Sequence, residues 1–234
     1  MTFLNKENLM STSLFVRSYP KDFEWLKYSI ASMNKYLTGI DKKVLVVPWK
    51  TTIPKEIESF FDVVIESYQY EKMDGYVAQQ FDKLDAHKYI DSDHILYSDS
   101  DCIYTAPFVV DSMFNPLPIL GMTPYTQLAD SDGYFWKGIT QNLLGFEVSH
   151  EFMRNFPLIH RTETVRDFSV AYPELYKRVT GRNVSEFNLL GAFAFQQGHP
   201  YHFTEDVPRY PCMQYWSWGG LTPEIQTQIE AYIG

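Results

Sequence analysis

Two hydrophobic rhythms alternate along the first hundred residues. "SLFVRSY" (Ser13–Tyr19) is a β-rich run that predicts a strand. After it Phe23, Leu26, Ile30, Met33 and Leu37 recur at steps of three and four, the stripe of an amphipathic helix that Gly39 closes. "KVLVVP" (Lys43–Pro48) is apolar almost throughout, as a strand buried on both faces is, and "DVVIES" (Asp62–Ser67) predicts a third strand. Gly75–Ile90 carries a helical pattern, with Val77, Phe81, Leu84 and Lys88 on one stripe and Tyr76, Gln80, Lys83 and His87 on the next. The first stripe is expected against the sheet and the second at its border. "HILYSD" (His94–Asp99) predicts a fourth strand. Such strand–helix–strand alternation implies an α/β fold, a mixed but mostly parallel sheet flanked by helices with right-handed crossovers.

The second half is less regular and more helical. Pro116, Pro118 and Pro124 interrupt a stretch holding a predicted strand, "PILGMTPY" (Pro118–Tyr125), and Asp130–Gly138 reads as an exposed loop. Ser149 is expected to cap a helix running to Pro157. A longer helical region is expected to break or restart at Pro173 and to end near Gly181. Ser185 is expected to cap a helix over "EFNLLGAFAFQQG", and Thr222 with Pro223 to start a last one.

Bulk properties narrow the function classes. The chain has 234 residues, 45% of them hydrophobic and 17% aromatic, which fits one large globular domain. A net charge of −9 argues against charge-driven binding to nucleic acid, which needs Lys and Arg to displace counterions. The stretch Glu151–Arg182, with six Lys/Arg against four Asp/Glu, is mildly basic and reads first as a solvated helical face. Cys102 and Cys212 make no metal-binding spacing and are expected to be free thiols in a reducing cytoplasm. No apolar run reaches the ~18 residues of a membrane span, and the first residues lack the apolar core of a signal peptide. The expectation is therefore a cytoplasmic protein without a membrane span.

The fourth strand ends in two carboxylates, Asp99 and Asp101, on either side of Ser100. In an open parallel sheet ligands sit beyond the carboxyl ends of the strands, so this polar tail is delivered to the binding edge. On extended backbone Asp99 and Asp101 point to one side and Ser100 to the other. Their oxygens suit Mn²⁺ or Mg²⁺, ions that commonly bridge phosphates. One aspartate can hold the metal while the other orients it or holds a ribose hydroxyl. A solvated loop or a helix cap is the plainer account of Asp-x-Asp, and it suits Asp91–Asp93 and Asp130–Asp132, neither of which follows an apolar strand.

A strand followed by Asp-x-Asp, about a hundred residues into an α/β chain, resembles the GT-A class of nucleotide-sugar glycosyltransferases. "GYVAQQFDKLDAHKYI" ahead of "DHILYSDSDCIYTAPF" is similar to a poorly characterised bacterial and phage family of that fold, whose members place a Gln-Gln-x-x-Lys-Leu helix before the Asp-x-Asp strand. "SLFVRSYPKDFEWLKYSI" resembles the family's opening strand and helix, and "SEFNLLGAF" a later acidic helix. The likeness runs over most of residues 13–200 and is strongest over 75–108. Ser98 and Cys102 depart from it, standing where apolar residues are usual.

The resemblance implies a single GT-A (Rossmann-like) domain, with a nucleotide-sugar and metal half over about 13–125 and an acceptor half over about 126–234. It places Arg17, Ser18, Tyr19 and Asp22 at the nucleotide, with helix capping as the other role for Asp22. Gln80 and Lys83 would reach the donor phosphates or the aspartates, and Ser100 would sit with Asp99 at the donor. Asp99 and Asp101 would hold the metal, with Asp101 also in the catalytic set. A C-terminal histidine often closes the metal shell in this class, which makes His202, and after it His199, the candidate ligand. Glu186 is the first candidate for the base that takes the acceptor proton, with Asp130 and Asp132 in reserve. Its other role is an ordinary charge at a helix start. Trp216 and Trp218, on one side of the Gly-flanked "YWSWGG", are assigned to the acceptor site together with Tyr134 and Trp136.

The expected activity is metal-dependent transfer of a sugar from a nucleotide-diphosphate donor, UDP-linked first, to an acceptor that is a glycan, a protein or a modified base in phage DNA. The host cytoplasm would be the compartment of a phage enzyme. Two other readings stay open. One is a non-catalytic nucleotide or glycan binder on the same fold. The other is an Asp-x-Asp phosphohydrolase, against which stand Ile103 at the fifth place of the motif and the several strands that precede it.

Overall fold

The computed structural model describes residues 10–69, 73–129, 133–182 and 184–234. Strand β1 (Thr12–Arg17) is buried along its whole length and is followed by helix α1 (Phe23–Tyr36). Then come β2 (Lys42–Pro48), β3 (Val63–Ser67), helix α2 (Gly75–Leu84), β4 (His94–Asp99) and the short β5 (Cys102–Tyr104). The second half adds β6 (Leu117–Gly121), α3 (Trp136–Leu144), β7 (Leu158–Arg161), α4 (Thr162–Ala171), α5 (Glu186–Gln197), β8 (His202–Thr204), β9 (Cys212–Gln214) and α6 (Pro223–Ile233).

The main sheet runs β7-β4-β1-β2-β3. Strands β1 to β4 are mutually parallel, and β7 adds an antiparallel edge on β4, pairing Leu158 with Tyr97. Alternate residues along each strand enter opposite cores, the period-2 consequence of the pleat. Phe15, Val44, Val46, Ile95 and Tyr97 face one cluster with Val77, Phe81 and Leu84 of α2 and Phe187 and Leu190 of α5. Leu14, Val16, Leu45, Val47 and Leu96 face the other with Phe23, Leu26, Ile30 and Met33 of α1. This two-sided burial is why these strands read as continuous apolar runs.

The chain leaves β1 toward β2 and later returns to place β4 on the other flank of β1. The crevice between β1 and β4 is therefore a topological switch point, where open α/β sheets bind ligands. Arg17 and Asp99, the last residues of the two strands, are partners in register. Strand β5 is held from two sides: Ser29 Oγ of α1 donates to Cys102 O (2.7 Å), Tyr104 N–H donates to Ser32 Oγ (3.0 Å), and β9 pairs antiparallel with it, Gln214 opposite Cys102. Helix α6 packs on α1 through Ile229 and Trp25.

Several expectations change. Residues 149–157 form no helix; His150–Glu151 is a short strand against Thr123–Pro124. The backbone N–H of Phe152 donates to Asn188 Oδ1 and that of Met153 to Glu151 Oε1, so side chains take the place of helix acceptors. Part of the expected loop 130–138 is instead the start of α3, whose end is set by Gly145 at φ 80°. The helix from Gly75 stops at Leu84, and a single 3₁₀ turn, Ala86–Lys88, completes it. Strand β7 has no counterpart among the expected elements. Caps at Ser185 and Thr222 form as expected, each hydroxyl accepting a backbone N–H, of Asn188 (3.3 Å) and of Ile225 (3.3 Å). No helix among the described residues is long and apolar enough to cross a membrane.

Helix α5 is buried from Glu186 through Ala194, and Gly191 sits in the middle of it against Phe152. An alanine methyl there would overlap Phe152 Cβ and Cγ. Gly191→Ala is expected to lower the unfolding free energy by about 1–3 kcal/mol in urea titrations, despite alanine's better helix propensity. An unchanged midpoint would show that Phe152 has room to retreat.

Candidate active site

The site is built where β1 and β4 end together. Asp99 closes β4, and the chain turns through Ser100 and Asp101 before re-entering extended structure as β5. Ser100 Oγ ties that turn to the end of β1, 3.1 Å from Ser18 Oγ and 3.4 Å from Arg17 O. Asp101 is engaged from the C-terminal segment: Tyr215 N–H donates to its carbonyl (3.1 Å) and Ser217 N–H to Oδ2 (2.7 Å). Asp101 is 7% exposed, and its buried Oδ1 has no hydrogen-bond partner among the described residues. Burial, and then the charge of Asp99, pushes the Asp101 carboxyl up to about 6.

Lys83 reaches Asp99 from α2. Its Nζ lies 2.7 Å from Asp99 Oδ1 and 2.8 Å from Glu186 Oε1, with the Phe187 ring centroid at 5.0 Å. Lys83 is 2% exposed, so the end of the side chain is buried where it meets the edge of the sheet. Burial works to lower the lysine's pKa, but attraction to Asp99 and Glu186 outweighs it and the net direction is upward. Glu186 is raised by its own burial, against the pull of Lys83. Gln80, one turn before Lys83, accepts the Glu186 backbone N–H at 3.1 Å, so Gln80 and Ser185 satisfy two of the N–H groups left without helical acceptors at the start of α5.

Arg17 is 4% exposed and faces Asp82, Nε to Oδ2 3.7 Å, while Nη1 donates to Gln79 Oε1 at 3.4 Å. Its guanidinium stands 5.6 Å from the centre of the half-buried Tyr19 ring. Burial depresses Arg17 to about 10 against the attraction of Asp82. Asp82, which accepts from Ser67 Oγ, is raised to about 6 by burial. Asp22 does not cap α1 with its side chain; burial raises it, and a bond with Ser217 works the other way.

Other expected residues lie apart from this core. His202 is exposed on β8, which pairs with β6 outside the main sheet. His199 Nδ1 is 3.2 Å from Thr164 Oγ1 and Nε2 is 3.8 Å from Asp167. Among the described residues no three His, Cys, Asp or Glu side chains gather to hold a metal ion, so His202 does not join the aspartates. The chemistry of Asp99 and Asp101, with the partnerless Asp101 Oδ1, still fits a divalent ion that takes the rest of its oxygen ligands from outside the protein. Trp216 and Trp218 are 51% and 86% exposed and flank Ser217, the donor to Asp101. Trp216 holds φ 56°, a left-handed conformation rare for a bulky residue. Tyr134 is 40% exposed and meets Tyr125 edge-on, and Trp136 starts α3 beside Gly133 and Glu151. Asp130 and Asp132 lie outside the described residues. A cavity of ≈ 730 Å³ opens on the neighbouring face of α2, against Val77, Phe81 and Tyr172, and neither Lys83 nor the two aspartates line it.

The sequence reading missed Asp82 and Ser217. The carboxylate of Asp82 sits between Gln80 and Lys83 in the chain, and helical spacing turns it away from them toward Arg17. No local signal marks Ser217, which arrives only through the pairing of β9 with β5.

No protein-family model matches the chain, and no curated protein sequence is similar to it. Solved structures are similar in fold. The apo-form glycosyltransferase GlyE of Streptococcus pneumoniae TIGR4 superposes with a TM-score of 0.51 and 12% identity over 95% of this chain and 60% of that one. The 2-C-methyl-D-erythritol 4-phosphate cytidylyltransferase from Thermus thermophilus gives 0.49 and 13% over 95% and 98% of the two chains. The chain thus spans 60% of the length of the glycosyltransferase it matches. The likeness establishes the fold, a mostly parallel α/β sheet flanked by helices of the GT-A type.

A raised carboxylate pKa means that the native state binds the proton more tightly than the unfolded chain, so stability falls as pH rises from about 4 through about 6. Asp101→Asn keeps an acceptor for the Ser217 N–H and removes the charge. In chelator, the variant is expected to be more stable than the parent at pH 8, by about 2 kcal/mol, and equal to it below pH 4. A less stable variant at pH 8 would mean that the Asp101 charge is compensated rather than penalised.

Proposed function

We propose that this protein is a glycosyltransferase that takes a sugar from a nucleotide-diphosphate donor, UDP-linked in the first instance. The observation that carries the reading is the meeting, at the β1–β4 switch point of a GT-A-type sheet, of two buried cations, Arg17 and Lys83, with the carboxylates Asp99 and Asp101. Cations at the carboxyl edge of a parallel sheet are placed for an anionic ligand, and a diphosphate is the anion that also uses paired aspartates through a divalent ion.

In this reading Arg17 and Lys83 bind the diphosphate, and Tyr19 offers a ring beside Arg17 for the base. Their charge is fixed before the reaction and opposes the charge that builds on the departing diphosphate. Mn²⁺ or Mg²⁺ held by Asp99 and Asp101 would add Lewis-acid stabilisation of the same leaving group. Glu186 serves as the counter-ion of Lys83 rather than as a base facing the acceptor, because it is buried and its carboxylate is paired. The exposed faces of Trp216 and Trp218 next to Asp101 suit an acceptor sugar or a comparable ring. A glycan, protein or small-molecule hydroxyl fits the net charge of −9 better than DNA does.

The test is hydrolysis of a panel of nucleotide sugars with Mn²⁺ and no added acceptor. One donor is expected to release its nucleoside diphosphate slowly, and Asp99→Asn or Asp101→Ala to cut that rate by about 100-fold or more. Nucleotide binding without turnover under any acceptor mixture would favour the non-catalytic binder. Absence of both binding and turnover would sink the transferase reading.

A further inference from the structure

Lys83 is shared between two carboxylates that differ in access. Asp99, whose side chain is 13% exposed, stands at the sheet edge beside Arg17, whereas the side chain of Glu186 is 2% exposed. Glu186 is also the more firmly placed of the two. It opens helix α5, its backbone N–H is held by Gln80 Oε1 at 3.1 Å, and the preceding residue, Ser185, caps the helix. The lysine Nζ lies 5.8 Å and 5.0 Å from the centroids of the Phe156 and Phe187 rings. Apolar walls of that kind leave the ammonium no water to turn to, so it needs a carboxylate in every state of the site. Lys83 already neutralises the Asp99 carboxylate through Oδ1, the charge that would also draw a divalent ion, while Asp101 Oδ1 has no hydrogen-bond partner among the described residues.

We propose that Lys83 is a resident counter-cation that competes with a divalent ion for Asp99 Oδ1, and that Glu186 is the fixed anchor that keeps Lys83 paired once Asp99 is given up. The proposal rests on the reading of Asp99 and Asp101 as a metal site. It makes Glu186 a positioning residue, acting through Lys83. The ion pair fills the site at rest, and the lysine released from Asp99 stays on the cleft side of Glu186, where a diphosphate meets it.

The test is the affinity of the whole chain for Mn²⁺ alone, from the free-ion electron paramagnetic resonance signal at fixed salt. Circular dichroism checks the fold of each variant. Lys83→Met is expected to bind Mn²⁺ about tenfold more tightly than the parent, because Asp99 loses its competitor. Glu186→Asp keeps the charge but withdraws the carboxylate by one methylene; it is expected to bind about tenfold more weakly, since Lys83 then depends on Asp99. A through-space effect of charge would leave Glu186→Asp at the parent affinity, and that result overturns the anchor. An unchanged affinity in Lys83→Met overturns the competition; should that variant not fold, Glu186→Asp decides alone. No Mn²⁺ binding by any folded variant also overturns the proposal, and metal-free hydrolysis of a nucleotide sugar would then leave the transferase reading standing without it.

Discussion

Charge buried at the edge of a sheet has to be paired, and that constraint organises this protein. An unpaired ammonium or carboxylate in the interior costs several kcal/mol, so each buried ion draws its counter-ion close. Lys83 on α2 meets Asp99 on β4 and Glu186 on α5. Arg17 on β1 meets Asp82, again on α2. Four elements, drawn from both halves of the chain, are thereby tied to one another at the place where the strand order reverses. The apolar clusters above and below the sheet make the fold stable, but hydrophobic burial is non-directional. The ion pairs set which side chains face the crevice.

Such an arrangement is a poor way to gain stability. Asp82 and Asp101 are both held at about 6 by burial, which means that their ionised forms are penalised at neutral pH. Replacing buried ion pairs by apolar residues of similar volume is often neutral or stabilising. Two cations and several carboxylates kept in and around one crevice are hard to explain by folding alone and accord with the proposed role of the crevice. The left-handed Trp216, strained next to the residue that donates to Asp101, points the same way, because strain of this kind gathers at functional segments.

Much of the frame was legible in the sequence because its signals are local. A strand buried on both faces is a short apolar run, and "LFVR", "VLVVP" and "HILYSD" are such runs. Asp99 and Asp101 could be placed at the ligand edge because that edge follows from the parallel order. What was not legible depends on distant partners. Spacing put the Lys83 stripe at the border of the sheet, and its burial depends on Asp99 and on Glu186, about a hundred residues further along the chain. Ser149 before a run ending at Pro157 reads as the cap of a helix, yet Asn188 and Glu151 take backbone donors of that segment. The place of His202 could not be had from the motif, because strand alternation buries Tyr201 and leaves His202 exposed. "LIHR" is too short beside Pro157 to announce an edge strand, and Gly133 and Gly138 made the start of α3 look like loop.

The pairing of β9 with β5 shows why no single motif can describe the site. Strand β5 starts one residue after Asp101, so whatever pairs with it is delivered to the aspartates. Antiparallel pairing of Cys212–Gln214 carries the next residues, Tyr215 to Ser217, onto the backbone and side chain of Asp101. On its far side β5 is held by Ser29 and Ser32, small polar residues on an otherwise apolar face of α1, where any larger side chain would push the strand away. The acidic turn is thus clamped between the first helix and the last strand. Its two carboxylates are consequently unequal. Asp101 is fixed by backbone donors that have few alternatives, whereas Asp99 is held by a flexible lysine that has a second carboxylate beside it. The Lys83–Asp99 contact is therefore the one proposed to be exchanged for a divalent ion, since Glu186 keeps the lysine paired and the ion would keep Asp99 paired.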